Sequence, residues 1–142
     1  MAVICEEIQA RGHPLVSATH RTTFEVTKEQ HLTAAGDCII AISANKGLSE
    51  LSEEFKSALA HDNAVLYTSL CCEEYEVVIT SAGSMNMTLT HPTDLVWRRS
   101  TFVCERTIGI QTDTTAALLP RDLISALQNE ARLTIYLEVR SK

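Results

Sequence analysis

Alternating apolar and polar positions make residues 16–27 the clearest predicted strand of the chain. The alternation runs for twelve residues rich in Val, Thr and Phe, which is typical of a strand with one face toward a core. It places His20 on the mostly apolar face, and Arg21 and Glu25 on the polar face. We interpret Arg21 and Glu25 as solvated charges or partners of neighbouring strands. His20 is either a hydrogen-bonded core histidine or part of a site.

Further strands are predicted by the same pattern at 4–11, 38–44, 65–72, 75–81, 87–92, 108–112 and 132–140. The run 38–44 is almost continuously apolar, which predicts a central strand covered on both faces. Gly12, His13 and Pro14 form a predicted turn that joins 4–11 to 16–27 as an antiparallel hairpin. A second hairpin is predicted to turn at Glu73 and Glu74.

Two helices complete the predicted secondary structure. One runs over 49–61 with Ser49 as N-cap and glutamates in its first turns, where the helix dipole favours them. The other lies within 114–129 and begins around Pro120. About eight strands and two helices without regular βαβ alternation predict a single α+β domain over 1–142. Its sheet is mostly antiparallel or mixed, and a curl toward a barrel stays open.

Composition and charge narrow the function. No apolar run approaches the length of a membrane span, and acids stand where a signal peptide would carry positive charge. We therefore expect a soluble, cytoplasmic protein with no membrane partner. The net charge of −6 is concentrated in 48–93, which holds seven acids and one lysine. A chain of this charge lacks the basic surface of a dedicated nucleic-acid binder.

The cysteines do not have the spacing of a metal site. There are five, an odd number with no CxxC pair: Cys5, Cys38, Cys71, Cys72 and Cys104. Structural zinc ligands usually come in closely spaced pairs, so we expect no metal site. Most of the cysteines are interpreted as small buried hydrophobes. Cys38, next to Asp37, is kept as a candidate reactive thiol.

Three arginines lie close together in the last third of the chain. Arg98, Arg99 and Arg106 occur with Ser and Thr in one short segment, and a guanidinium presents donors that match phosphate or carboxylate. With His20 they form the predicted pocket for an anionic small molecule or an RNA phosphate. The alternative is that the arginines balance the acidic middle of the chain, or face opposite sides of a strand. No glycine-rich loop supports nucleotide binding, and the identity of any cofactor stays open.

Two other functions stay open. A hydrolytic or metal-assisted enzyme would use His13, His20 and Asp37, with Glu25 as a weaker candidate. It requires the turns that hold His13 and Asp37 to meet at one end of the sheet. An interaction subunit would expose strand edges or Trp97, the single tryptophan, and would cover them by self-association. A buried Trp97 would instead belong to the core.

Several motifs resemble a known family. They are GHP at 12–14, ATHRTTFEVT at 18–27, LTAAGDCII at 32–40, LTHPTDLVWRRS at 89–100 and ERT at 105–107. Together they span nearly the full length and are similar to the domain-of-unknown-function family 371, found mainly in archaea. The resemblance implies a small, soluble, single-domain protein. It implies no established reaction, so whether the chain is an enzyme stays open.

Overall fold

The computed structural model describes residues 3–141 and confirms the α+β class. Its strands are β1 (Val3–Arg11), β2 (Thr23–Thr27), β3 (Ile39–Ala41), β4 (Ala64–Cys72), β5 (Tyr75–Ala82), β6 (Asp94–Arg98), β7 (Thr107–Gly109) and β8 (Arg132–Ser141). The helices are α1 (Glu53–Leu59) and α2 (Arg121–Gln128), each preceded by a 3-10 turn, Leu48–Glu50 and Ala116–Leu118. No helix within residues 3–141 combines the length and apolar character needed to cross a membrane.

The strands form two four-stranded sheets. The order β1-β8-β4-β5 is antiparallel throughout. In the order β3-β2-β6-β7 the central pair β2–β6 is antiparallel and both outer pairs are parallel. Single bridges join the sheets at both edges, Arg11 to Ile42 and Ala82 to Ile110. Across residues 3–141 the sheets thus meet at their edges without forming the closed barrel that the sequence left open.

The core lies between the two sheets. Phe24 of β2 and Trp97 of β6 are fully buried and stack with ring centroids 4.5 Å apart. The Trp97 indole Nε1 donates a 2.9 Å hydrogen bond to Thr68 Oγ1 on β4, in the other sheet. A buried indole N–H needs such a partner. Trp97 is therefore a core residue, and the part of the interaction hypothesis that exposed it is wrong.

The structure confirms three of the predicted elements. They are the hairpin of β4 and β5, the terminal strand β8 and the start of α2 after Pro120. Helix α1 is shorter than 49–61, because Ser52 rather than Ser49 caps it by accepting a hydrogen bond from the Phe55 amide. Of the five cysteines only Cys72 is buried, so the interpretation of most of them as small buried hydrophobes is wrong.

Three strand predictions are wrong. Only 23–27 of the segment 16–27 is a strand, because Ala18 has a positive φ of 51° that ends extended structure. The run 38–44 reduces to β3, which lies at a sheet edge and not in its centre. Residues 87–92 form no strand, since Leu89 also has a positive φ. The hairpin predicted through Gly12 does not form, because β1 pairs with β8.

The chain is built from two structurally equivalent halves. Each half contains, in order, one long strand, two short strands, a 3-10 turn, a helix and another long strand. Positive φ angles recur at matching places, at Ala18 and Leu89 before the second strand and at Ser43 and Gln111 after the third. The β2–β3 and β6–β7 pairs share a register shift at the same step.

Hydrogen bonds repeat between the halves as well. The Gln9 amide donates to Asn45 Oδ1 in the first half, and the Thr80 amide donates to Asp113 Oδ1 in the second. Because the sheet orders read the same from either edge, a pseudo-twofold axis passes between β2 and β6 and between β4 and β8. Positions on β2 and β6 can therefore be compared one to one.

Candidate functional site

The outer face of the β2–β6 pair is polar and mostly buried. Phe24 and Val26 point from β2 into the core, so Thr23, Glu25 and Thr27 alternate onto the opposite face. On β6 the same face carries Asp94, Val96 and Arg98, which pair with Thr27, Glu25 and Thr23 respectively. All of these residues except Arg98 are buried. Buried polar groups concentrated on one face, away from the core, mark this face as the candidate site.

Two carboxylates and one arginine form its centre. Arg106 Nη1 lies 3.1 Å from Asp94 Oδ2 and 3.7 Å from Glu25 Oε1. The Arg106 side chain is 40% exposed, whereas that of Glu25 is 7% exposed. Asp94 Oδ1 also accepts hydrogen bonds from the hydroxyls of Thr27, at 2.8 Å, and Thr93, at 3.0 Å. Asp94 is thus surrounded by donors, whereas Glu25 is not.

The two carboxyl pKa values move in opposite directions. Burial alone would raise the pKa of Asp94, but hydrogen bonds from Thr27, Thr93 and Arg106 lower it below its usual value. For Glu25, burial and the neighbouring Asp94 charge raise the pKa to about 7, against the smaller lowering effects of Arg106 and Cys38. Pairs of carboxyls with divergent pKa values are a common feature of proton-handling sites. Glu25 therefore exchanges its proton near neutral pH.

Histidines cap the turns that lead into this face. His20 Nδ1 accepts hydrogen bonds from the amides of Thr22 and Thr23 at the start of β2. His91 Nδ1 accepts from the amides of Thr93 and Asp94 at the start of β6, and its Nε2 lies 4.0 Å from Asp94 Oδ2. Both histidines therefore fix the geometry of a turn, and their Nε2 atoms carry the proton in the neutral form.

The cysteines beside the site have different environments. Cys38 Sγ lies 3.6 Å from Glu25 Oε1, and burial followed by the Glu25 charge raises the thiol pKa to about 11. The thiol of Cys38 is therefore protonated at neutral pH, which contradicts the reactive-thiol hypothesis. Burial would also raise the pKa of Cys104, but hydrogen bonds from the Arg106 backbone, Thr107 and Arg98 lower it.

The predicted arginine and histidine set is partly brought together. Thr23 pairs with Arg98 across the strands, and the Arg99 amide donates to the Thr22 carbonyl, so Arg98, Arg99 and His20 lie at one end of the face. Arg106 lies nearer the middle, beside Glu25. Arg98 Nε donates to Thr107 Oγ1 at 3.0 Å, and its guanidinium carbon lies 4.9 Å from the centroid of the exposed Phe102 ring.

The sequence matches the family model described as domain of unknown function DUF371 over residues 8–140. The chain belongs to this family. It is also 39% identical over 126 residues to an uncharacterised protein of Methanocaldococcus jannaschii. That alignment covers 89% of this chain and 93% of the relative. The archaeal relative agrees with the family resemblance of the sequence motifs.

The predicted enzyme residues of this DUF371 chain are only partly adjacent. The amides of Thr19 and His20 both donate to the Asp37 carbonyl, which brings His20 and Asp37 together at the backbone. His13 Nδ1 accepts a hydrogen bond from the Leu15 amide at 3.0 Å, which stabilises the turn that contains both residues. No group of three His, Cys, Asp or Glu suited to a metal ion occurs within residues 3–141. The hydrolytic alternative stays a prediction.

Sequence reasoning about this DUF371 chain missed Asp94 and His91 and underrated Glu25. The signal for the first two was present, because LTHPTD at 89–94 repeats the pattern of ATHRTT at 18–23. Aligning these segments would have placed His91 opposite His20 and Asp94 opposite Thr23. The burial of Glu25 had no such signal, since alternation assigns a side chain to a face without showing what covers that face.

Proposed function

We propose that the protein is a binding module for an anionic ligand, held by Arg98, Arg99, Arg106 and His20. The observation that supports this most is the β2–β6 register, which aligns Thr23 with Arg98 and so gathers three of these residues at one end of a polar face. Arg106, nearer the middle of the same face, supplies a fourth cationic or donor group with a partly exposed side chain.

The environment of Arg98 supports a binding role. Its hydrogen bonds to Thr107 Oγ1 and Cys104 Sγ and its contact with the Phe102 ring restrain the guanidinium. A guanidinium held in place loses less conformational freedom when it binds a phosphate or carboxylate. Arg99 is exposed and available beside it.

A small anion fits this site better than an RNA strand. The cationic side chains of the proposed site are few, and the whole chain carries a net charge of −6. An RNA backbone carries a charge at every nucleotide and would need cationic side chains beyond these, whereas a single phosphate or carboxylate group would not. We therefore commit to a small-molecule anion, with RNA as an outcome of the test.

The test compares the wild type with Arg99→Gln and Arg98→Gln in titrations with inorganic sulfate, a panel of small phosphates and carboxylates, and a single-stranded RNA. We expect one of the small anions to bind and each variant to weaken it by about tenfold, as charge-assisted hydrogen bonds do. Arg132→Gln is the matched control, because Arg132 is exposed on β8 in the other sheet.

Three results would argue against the proposal. Equal losses of affinity in Arg132→Gln and Arg99→Gln would indicate general electrostatics and not a site. Tight RNA binding that falls steeply with salt, alongside no small-anion binding, would assign the surface to nucleic acid instead. Failure of all these anions to bind would leave no support for an anion-binding module.

A further inference from the structure

Arg106 is shared between the proposed anion site and a pair of carboxyl groups. Its Nη1 contacts Asp94 Oδ2 at 3.1 Å and faces Glu25 Oε1 at 3.7 Å, while 40% of the side chain remains exposed. An anion that binds the exposed part of Arg106 would therefore lie next to Glu25. An ionised Glu25 would repel that anion across a buried, weakly screened distance.

We propose that this site binds its anion together with one proton, which Glu25 takes up. The inference rests on the proposed anion-binding function. Glu25 in its carboxylate form accepts a proton from solvent, one O–H bond forms, and the negative charge beside the incoming anion disappears. The neutral carboxyl can also donate a hydrogen bond to the ligand, which a carboxylate cannot.

The groups that face Glu25 identify it as the proton carrier. From β6, Asp94 accepts hydrogen bonds from Thr27, Thr93 and Arg106, so it stays ionised. From the segment before β3, Cys38 directs its thiol at Glu25 Oε1 at 3.6 Å. From the segment before β7, Arg106 stays charged at all relevant pH values.

His91 does not face Glu25 directly. It reaches this cluster only through Asp94, with Nε2 4.0 Å from Oδ2. Glu25 is thus the group in the cluster with the fewest donors and the deepest burial. Its pKa of about 7 agrees with that geometry.

The pseudo-twofold axis provides an independent argument. Glu25 and Val96 are equivalent, since each donates its amide to the residue before the third strand of its half, Cys38 and Arg106 respectively. The half that carries Val96 has no acid at this place. Glu25 is therefore not required by the repeated fold, and a buried acid that the fold does not require points to function.

The experiment measures the binding of inorganic sulfate, whose charge is constant across the neutral range, at about pH 6 and about pH 8. We expect wild-type affinity to fall by up to about tenfold per pH unit above the Glu25 midpoint. Calorimetry in two buffers of different ionisation enthalpy should show uptake of up to one proton per sulfate. In Glu25→Gln, which resembles the protonated state, affinity should be high and nearly independent of pH.

Two controls separate Glu25 from other groups. Glu7→Gln removes an exposed acid of β1 in the other sheet and should keep the wild-type pH dependence. His20→Asn retains an acceptor for the turn but does not titrate, so it reports any proton taken up by His20. Circular dichroism of each variant verifies folding, and Glu25→Asp is the substitute if Glu25→Gln is unfolded, because it shifts the carboxyl away from Arg106 and should change the midpoint.

The outcomes are distinguishable. Sulfate binding to the wild type without pH dependence or proton uptake would overturn this inference and leave the anion site intact. Persistence of the pH dependence in Glu25→Gln with its loss in His20→Asn would assign the proton to His20 and also overturn it. Sulfate that fails to bind at either pH, to the wild type and to Glu25→Gln alike, would count against both the anion site and the proton linkage.

Discussion

Thr23 and Asp94 occupy equivalent positions in the two halves of the protein, and only Asp94 carries a charge. Each follows a histidine by three positions and donates its amide to that histidine's Nδ1. The backbone conformation and its hydrogen bond to histidine are thus repeated at the two positions, whereas the side chains differ in charge. This difference places the Asp94 carboxylate at one end of a symmetric pair of strands, opposite the end that carries Arg98.

The raised pKa of Glu25 makes stability depend on pH. Its pKa is about 7 in the folded chain and 4.5 in a model compound, so below about pH 4.5 both states are protonated and the stabilisation is full. It is lost as pH rises toward 7, by roughly 3 kcal/mol. We expect Glu25→Gln to be less sensitive to pH in urea unfolding between about pH 5 and pH 8. An unchanged pH slope in the variant would contradict the assignment.

Asp94 should have the opposite pH effect. Its pKa is lowered in the folded chain, so its stabilisation is present above the unfolded value and is lost as pH falls through the folded one. Asp94→Ala leaves Arg106 and two hydroxyls without their acceptor. We expect a loss of about 2–4 kcal/mol at neutral pH, measured by urea unfolding.

The matched control for Asp94→Ala is Glu138→Ala. Glu138 pairs with Arg140 on the outer surface of β8, and a solvent-exposed pair contributes about 0–1 kcal/mol. Comparable losses in the two variants would mean that Asp94 is not the organising acid of the face.

The sequence predicted the inventory of elements well and their pairing poorly. The number of strands, the two helices and the β4–β5 hairpin follow from periodicity and turn residues. One strand is misplaced, because the predicted strand 87–92 does not form and β6 at Asp94–Arg98 is not among the predicted strands. Periodicity does not record which strands are neighbours, so the predicted partner of β1 is wrong. The cluster of Arg98 and His20 depends on the β2–β6 pair, which joins strands about 70 positions apart. The sequence groups Arg98 and His20 only by their chemistry. Their proximity follows from the β2–β6 register, which only the tertiary structure shows.

The failed part of the long strand has a local cause. Residues 16–22 alternate in sequence, yet Ala18 adopts a left-handed conformation with φ of 51°. Nothing in an alanine signals that conformation, because glycine and asparagine are the residues that favour it. The equivalent Leu89 also has a positive φ that its residue type does not predict. Only a comparison of the two halves would have shown that a turn, and not a strand, precedes each threonine-histidine pair.

Contact between the sheets can be tested at Thr68. Its hydroxyl accepts the indole N–H of Trp97 at 2.9 Å, and both residues are fully buried. Thr68→Val keeps the side-chain shape and leaves that N–H without a partner, at a cost of about 1–3 kcal/mol. Urea unfolding followed by Trp97 fluorescence measures the loss. Thr80→Val is the control, since Thr80 is exposed on β5, and a similar loss there would show that the hydrogen bond is not the cause.

The repeated architecture makes a strong prediction about chain order. Val3 of β1 and Arg140 of β8 are cross-strand neighbours, so the ends of the described chain lie side by side, as the ends of β4 and β5 do at Glu73 and Glu74.

A circular permutant opened between Glu73 and Glu74, with a short flexible linker joining the original ends, would place the second half first and keep every strand pair. We expect it to fold with near-native circular dichroism and a stability within about 1–2 kcal/mol of the wild type, because the new connection closes a short loop at low entropic cost. The control is a permutant opened at Gly47, where a Cβ would clash with the Pro92 carbonyl oxygen, so that the backbone is closely packed. This second permutant should be markedly less stable. If the permutant opened at Glu73 were unfolded while the one opened at Gly47 folded, the two halves would not be the interchangeable units that their matched elements indicate.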